Sequence, residues 1–325
     1  MTTALLALTL AANTVTIAVA VSGNLLLMIA FVRRPSLRTA SHGFSLLSFA
    51  SCFLIGAVSC PMQALADINV INDNPACFVF VTTVMMFATI FSCSILALTV
   101  DRYIFICHPL QAPTIVTRRR VACCVAGIVA TCFTFAIVIP LATPVGNKGP
   151  ITHVHGCRLH SALPNQAYDT VFPTLALAPI PFIAIIYCRI FFVIRKHIRR
   201  VATTPTQAGQ STDRTSGSVA EMTTPFSRAR WKKELRSACI LLAVVLSYVF
   251  CIVPTWVFAV SHPFSSHVSP LTFVIFHTTV YLYPALNPII YGLGNKTIRD
   301  AVKSLFPRSF NLYRSSQVAT IPANT

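Results

Sequence analysis

Acidic side chains are nearly missing. Asp and Glu number 8 in 325 residues, and all charged residues together make up 10% of the chain. A soluble domain carries about 25%, so a water-facing globule is excluded. The acids are Asp67, Asp73, Asp101, Asp169, Asp213, Glu221, Glu234 and Asp300. None falls clearly mid-way along an apolar run, so no file of intramembrane charges marks a transport path. The sequence also lacks a CxxC pair, a Cys/His cluster with zinc spacing and a nucleophile–base cluster. Nothing in it asks for a metal or a cofactor, and an enzyme is not expected. No basic residue precedes the first apolar run, which at residues 4–32 exceeds a signal-peptide core of about 7–15 residues. That run is read as a retained helix.

What is present is apolar: 55% of residues are hydrophobic and the mean hydropathy is +0.71. Seven runs, at about 4–33, 43–66, 76–107, 119–141, 169–196, 231–260 and 270–292, are each long enough to cross about 30 Å of hydrocarbon. The fold class is all-α: a seven-transmembrane helix bundle over 1–292. An amphipathic helix lying on the membrane follows at 293–307, then a cytoplasmic tail at 308–325. The short helix is drawn from Ile298, Val302, Leu305 and Phe306, whose spacings of three and four share one face.

The basic residues set the orientation. The chain has 25 Lys and Arg, and only Lys148 and Arg158 fall in the segments assigned outside. The positive-inside bias therefore puts the N-terminus outside and the C-terminus in the cytoplasm. The net charge of +17 is distributed in short clusters between apolar runs, with no basic domain to hold a duplex, so nucleic acid is not a partner. Residues 197–230 are rich in Thr, Ser, Gln and Gly and read as a solvated inner loop. Its basic edges, RKHIRR and RARWKK, continue helices five and six toward acidic lipid headgroups. Most of the twelve cysteines lie inside apolar runs and behave there as small apolar residues; Cys77 and Cys157 differ in lying among loop-like residues.

Ordered motifs now assemble on these helices. Gly23-Asn24 lies in helix one and Cys77 heads helix three, which Asp101-Arg102-Tyr103 closes. Pro109 follows in the second inner loop. Pro179 and Tyr187 lie in helix five, Cys251 and Pro254 in helix six, and Asn287-Pro288-Ile289-Ile290-Tyr291 ends helix seven. In this order and on these helices the sequence resembles the rhodopsin-like (class A) G-protein-coupled receptors over nearly its full length.

The resemblance implies a plasma-membrane receptor that passes an extracellular, small-molecule signal to heterotrimeric G proteins, with arrestin and a receptor kinase as further partners. It implies that Arg102 is held off by Asp101 and by Glu234, which stands twenty residues before Pro254. It implies a Cys77–Cys157 bridge over the pocket mouth. It implies a pocket lined by Gln63, Val84, Met85, Ala88, Trp256, His277 and Tyr281. Pro288 removes a backbone donor and so kinks helix seven. Asn287 is expected to occupy the freed groups or reach a water, and Tyr291 to swing toward Tyr187.

Departures from the family pattern are equally specific. The helix-two aspartate of the family's sodium site falls on Cys52 and the helix-three serine on Phe91, so no sodium site of that kind is expected. Helix four lacks its tryptophan. The helix-six tryptophan position is Ile252, with Trp256 after the proline instead, and Tyr248 stands one turn below. The amine-binding aspartate corresponds to Val84 and the retinal-binding lysine to Tyr281, which argues against a biogenic amine and a visual pigment. Five histidines, His153, His155, His160, His262 and His267, fall in outer loops, where proton or metal sensing competes with plain solvation. Two other functions stay open at this point: a receptor-shaped protein that no longer signals, which Cys52 and Ile252 favour, and a seven-helix transporter or channel. RYIFICHPL and IIYGL resemble melatonin-type receptors, and NPIIY followed by Asn295-Lys296 resembles odorant-type chemoreceptors. Neither likeness extends far enough to carry a ligand.

Overall fold

The computed structural model describes residues 3–37, 40–68, 70–71, 74–142, 174–203, 225–261, 271, 275 and 278–305. Helix one is Thr3–Arg33. Helix two comprises His42–Leu54, a π-turn at Ile55–Ser59 and Cys60–Asp67. Helix three is Asn74–Cys107. Helix four comprises Arg118–Phe133, a π-turn at Thr134–Val138 and Ile139–Ala142. Helix five is Pro179–Thr203, helix six Pro225–Ser261 and helix seven Leu282–Gly294, followed by a terminal helix at Lys296–Lys303. Six of these are long and apolar enough to cross a membrane, and Leu282–Gly294 belongs to the seventh. The architecture is an all-α, seven-helix bundle, and among the described residues no strand occurs.

Composition explains the helices. Hydroxyls that would be costly in lipid bond back to their own helix: Thr9, Thr14, Thr16 and Ser22 each donate to the carbonyl four residues earlier. Both π-turns have the same cause. Pro61 and Pro140 lack an amide hydrogen and crowd the carbonyls of Ala57 and Ala136, four residues earlier. Each of those carbonyls lies inside a π-turn, where the wider winding relieves the clash. Gly56, in the first π-turn, also admits helix one: a Cβ there would stand 2.8 Å from the Ala20 Cβ.

Helix three is the axis of the core. Its Phe91, Ile95 and Leu98 are buried with Cys52 and Ile55 of helix two, Ile183 of helix five, and Leu241, Val244 and Tyr248 of helix six. Helix six, at 37 residues, would be about 55 Å long at 1.5 Å per residue, well beyond the hydrocarbon, so it projects past the membrane face. The terminal helix is capped by Asn295, whose side chain accepts from Thr297 N and Ile298 N at 3.0 and 3.3 Å. Ile298 is buried with Leu27, Phe31 and Phe49, which pins this helix against helices one and two.

Candidate functional site

Arg102 sits at the end of helix three between two acids. Its Nη2 lies 2.7 Å from Asp101 Oδ2, an ionic contact outside hydrogen-bond alignment, and its Nη1 donates to Glu234 Oε2 of helix six at 2.5 Å. The two arms differ in burial. The Asp101 side chain is 1% exposed, whereas those of Arg102 and Glu234 are 15% and 17% exposed. Ser41, just before helix two, donates to Asp101 Oδ1 and anchors the inner arm. The guanidinium also lies 5.7 Å from the Phe105 ring centroid. The arm to helix six is therefore the wetter of the two, and separating it would cost less than separating the arm to Asp101. Tyr103 turns away from this cluster and meets the His108 ring edge-on at 5.8 Å.

Helix seven meets helices one and two along a polar seam. Pro288 leaves the Pro284 carbonyl without its helical donor. Asn24 Nδ2 takes that carbonyl at 2.8 Å and its own Ala20 carbonyl at 2.8 Å. Gly23 lets the proline ring approach: a Cβ there would be 2.5 Å from Pro288 Cγ. This corrects one of the two expectations for Asn287: Asn24, and not Asn287, fills the gap left by the proline. The Asn287 Nδ2 instead donates to Cys52 Sγ on helix two at 3.4 Å. Asn24 Oδ1, Asn287 Oδ1 and Ser48 Oγ are buried with no partner among the described residues, and such groups are ordinarily met by ordered water. Tyr291 packs edge-on against Phe49 at 5.1 Å, while Tyr187 Oη donates to the Ala238 carbonyl of helix six at 3.0 Å.

Three of the departures are explained together by a feature the sequence does not announce. Phe91, Tyr248 and Tyr283 form a closed aromatic cluster, with ring centroids 5.3, 5.0 and 5.1 Å apart. Phe91 thus fills core volume beside Cys52 with carbon. Tyr248 Oη donates at 3.1 Å to the carbonyl of Ala176, three residues before helix five, so the cluster ties helices three, six and seven to the start of helix five. Ile252 packs against the same core.

Of the residues expected to line the pocket, Gln63 and Tyr281 are brought together by a 3.3 Å hydrogen bond from Tyr281 Oη to Gln63 Oε1. Val84 and Met85 of helix three pack against a buried cluster that includes Ile71, Phe80 and Val81, and Ala88 is buried one turn on. The Trp256 side chain, His277 and the five loop histidines lie outside the described residues. Cys77 is disulfide-bonded, and Cys157 lies outside the described residues. Pro254 stands inside helix six, where it leaves the Phe250 carbonyl without its donor. Among the described residues no group of three His, Cys, Asp or Glu could hold a metal ion. Sequence reasoning missed Ser41 and Tyr283. It also missed Arg236, whose Nε donates to the Gly294 carbonyl at 2.8 Å and links helix six to the end of helix seven.

Comparison with known proteins agrees with this geometry. Residues 23–291 match the family described as 7 transmembrane receptor (rhodopsin family). Similar proteins include trace amine-associated receptor 9 of Mus musculus, 26% identical over 299 residues, covering 87% of this chain and 80% of the relative. The 5-hydroxytryptamine receptor 4 of Rattus norvegicus is 24% identical, over 95% of this chain and 79% of its own. Olfactory receptor 51I2 of Homo sapiens is 24% identical, over 89% and 87%. A family match spanning both the helix-three ion pair and the helix-seven proline, on a seven-helix bundle, leads to one conclusion: the chain belongs to the rhodopsin family of seven-transmembrane receptors.

Proposed function

We propose that this receptor carries an extracellular small-molecule signal to a heterotrimeric G protein by releasing Arg102 from Glu234. The observation that carries the reading is the two-armed ion pair, one arm buried with Asp101 and one wetter arm crossing to helix six. Ligand that binds the released state more tightly shifts the population toward it. Helix six then swings away, and the surface it uncovers is bordered by the basic ends of helices five and six and the loop containing His108 and Pro109. In this reading the N-terminus is extracellular, the C-terminus is cytoplasmic and the protein resides in the plasma membrane. The distribution of Lys and Arg supports that orientation. Arrestin and a receptor kinase follow as partners, with Ser315, Ser316 and Thr320 as acceptors.

The ligand is neutral in this reading. Some relatives are named for amines, but Val84 stands where an amine receptor places its carboxylate, and Gln63 and Tyr281 offer neutral hydrogen-bonding groups. Ligand-free G-protein activation in cells, across a panel of Gα subunits, tests the signalling claim. Basal activity of the wild type should vanish in Arg102→Ala at matched surface expression. Activity that persists in the variant refutes the role given to Arg102.

A further inference from the structure

On the outer face of helix five, beside the end of helix three, lies a cleft of about 590 Å³. Its walls include Ile185, Arg189, Phe192 and Lys196 of helix five and Tyr103 of helix three. The four helix-five positions are spaced by four, three and four, so they form one stripe in which apolar and basic side chains alternate. Ile185 and Phe192 are 59% and 65% exposed, as lipid-facing side chains are. Arg189 breaks that pattern. It lies inside the membrane-crossing stretch Thr174–Lys196, roughly 10 Å along the axis from Lys196. No carboxylate or carbonyl meets its guanidinium among the described residues, and none of the described residues lining the cleft is acidic.

An unpaired arginine on a lipid-facing stripe is costly unless an anion reaches it. Its stem can lie along apolar surface while the head bends toward the interface. A second cation waits there, on Lys196. The anion available at that depth is a lipid phosphate. We propose that this cleft is a binding site for one acidic phospholipid. Its headgroup is held between Arg189 and Lys196, and its acyl chains run along Ile185 and Phe192. The occupant also touches Tyr103, the neighbour of Arg102. Supply from the inner leaflet rests on the cytoplasmic orientation proposed above. The site itself does not, so the two ideas fail separately.

Native mass spectrometry of the full chain in detergent micelles, titrated with phosphatidylserine or phosphatidylcholine, tests the site. The wild type should retain one phosphatidylserine in clear preference to phosphatidylcholine. Arg189→Gln with Lys196→Gln, both at exposed positions, should weaken phosphatidylserine binding roughly thirty-fold. Arg195→Gln removes a neighbouring charge that lies over the Phe191 ring and does not line the cleft, and should leave binding unchanged. Ala184→Trp keeps every charge but fills the cleft, and should also weaken binding. The proposal is overturned by equal binding of the two lipids, by an Arg195→Gln loss as large as the double variant's, or by undiminished binding in Ala184→Trp.

Discussion

Removing Phe91 should loosen the bundle where its helices converge. Phe91 is 1% exposed and touches two rings, Tyr248 and Tyr283, at 5.3 and 5.0 Å between centroids. In a soluble core, Phe→Ala costs about 3–5 kcal/mol. In a membrane the transfer contribution largely drops out, because lipid is as apolar as the protein interior, and lost packing with its cavity remains. Two aromatic pairs at about 0.5–1.5 kcal/mol each, plus a cavity, give roughly 2–3 kcal/mol. At about 2–4 °C per kcal/mol, the apparent Tm of Phe91→Ala should fall by roughly 5–10 °C. Phe250 is the control: it is 73% exposed, and detergent or lipid fills the space it leaves. A thiol-reactive dye reads the transition in micelles, because Cys52, Cys60 and Cys251 are buried free thiols that react only on unfolding. Cys123, Cys188 and Cys239 are exposed and set the baseline. Equal Tm losses in Phe91→Ala and Phe250→Ala would refute the claim that the aromatic cluster holds these helices together.

Other consequences follow from the seam between helices one, two and seven. Asn24→Ala strands the Pro284 carbonyl and should cost about 1–3 kcal/mol. Asn24→Asp, which supplies no donor when ionised, should do no better in the same thermal assay. Gly23→Ala sets a methyl against the Pro288 ring at 2.5 Å and should cost about 1–3 kcal/mol, seen as a lower Tm and reduced surface expression. With Cys52 and Phe91 in place of an ion site, exchanging sodium chloride for choline chloride should leave both Tm and basal signalling unchanged. A sodium-dependent rise in Tm would show an ion site that Cys52 and Phe91 do not describe.

Much of this fold is written in one-dimensional signals. Runs of about 20 apolar residues announce membrane-crossing helices because length and hydropathy suffice. The Arg102 neighbourhood is legible because Asp101 is adjacent in sequence and Glu234 stands at a fixed spacing from Pro254. Contacts that require the helices to be assembled are not legible. Ser41 is an unremarkable turn residue until packing brings it to Asp101, sixty positions away. Phe91 reads as the loss of a serine, and its gain appears only beside Tyr248 and Tyr283. Pro288 announces an orphaned carbonyl, but only the bundle reveals that Asn24, and not its neighbour Asn287, supplies the donor. Arg189 likewise reads as one more basic residue toward the inner end of helix five until its stripe is seen to be exposed.

The central claim is that the Arg102–Glu234 arm restrains signalling, and the most direct measurement is basal G-protein activation of Glu234→Ala at matched surface expression. Loss of a partly buried ion pair shifts the two-state balance by about 1–2 kcal/mol, so basal activity should rise roughly five- to thirty-fold until the active state saturates. Substituting Arg102 as well should abolish the gain. Basal activity in Glu234→Ala no higher than that of the wild type, with the protein folded at the surface, would contradict the account.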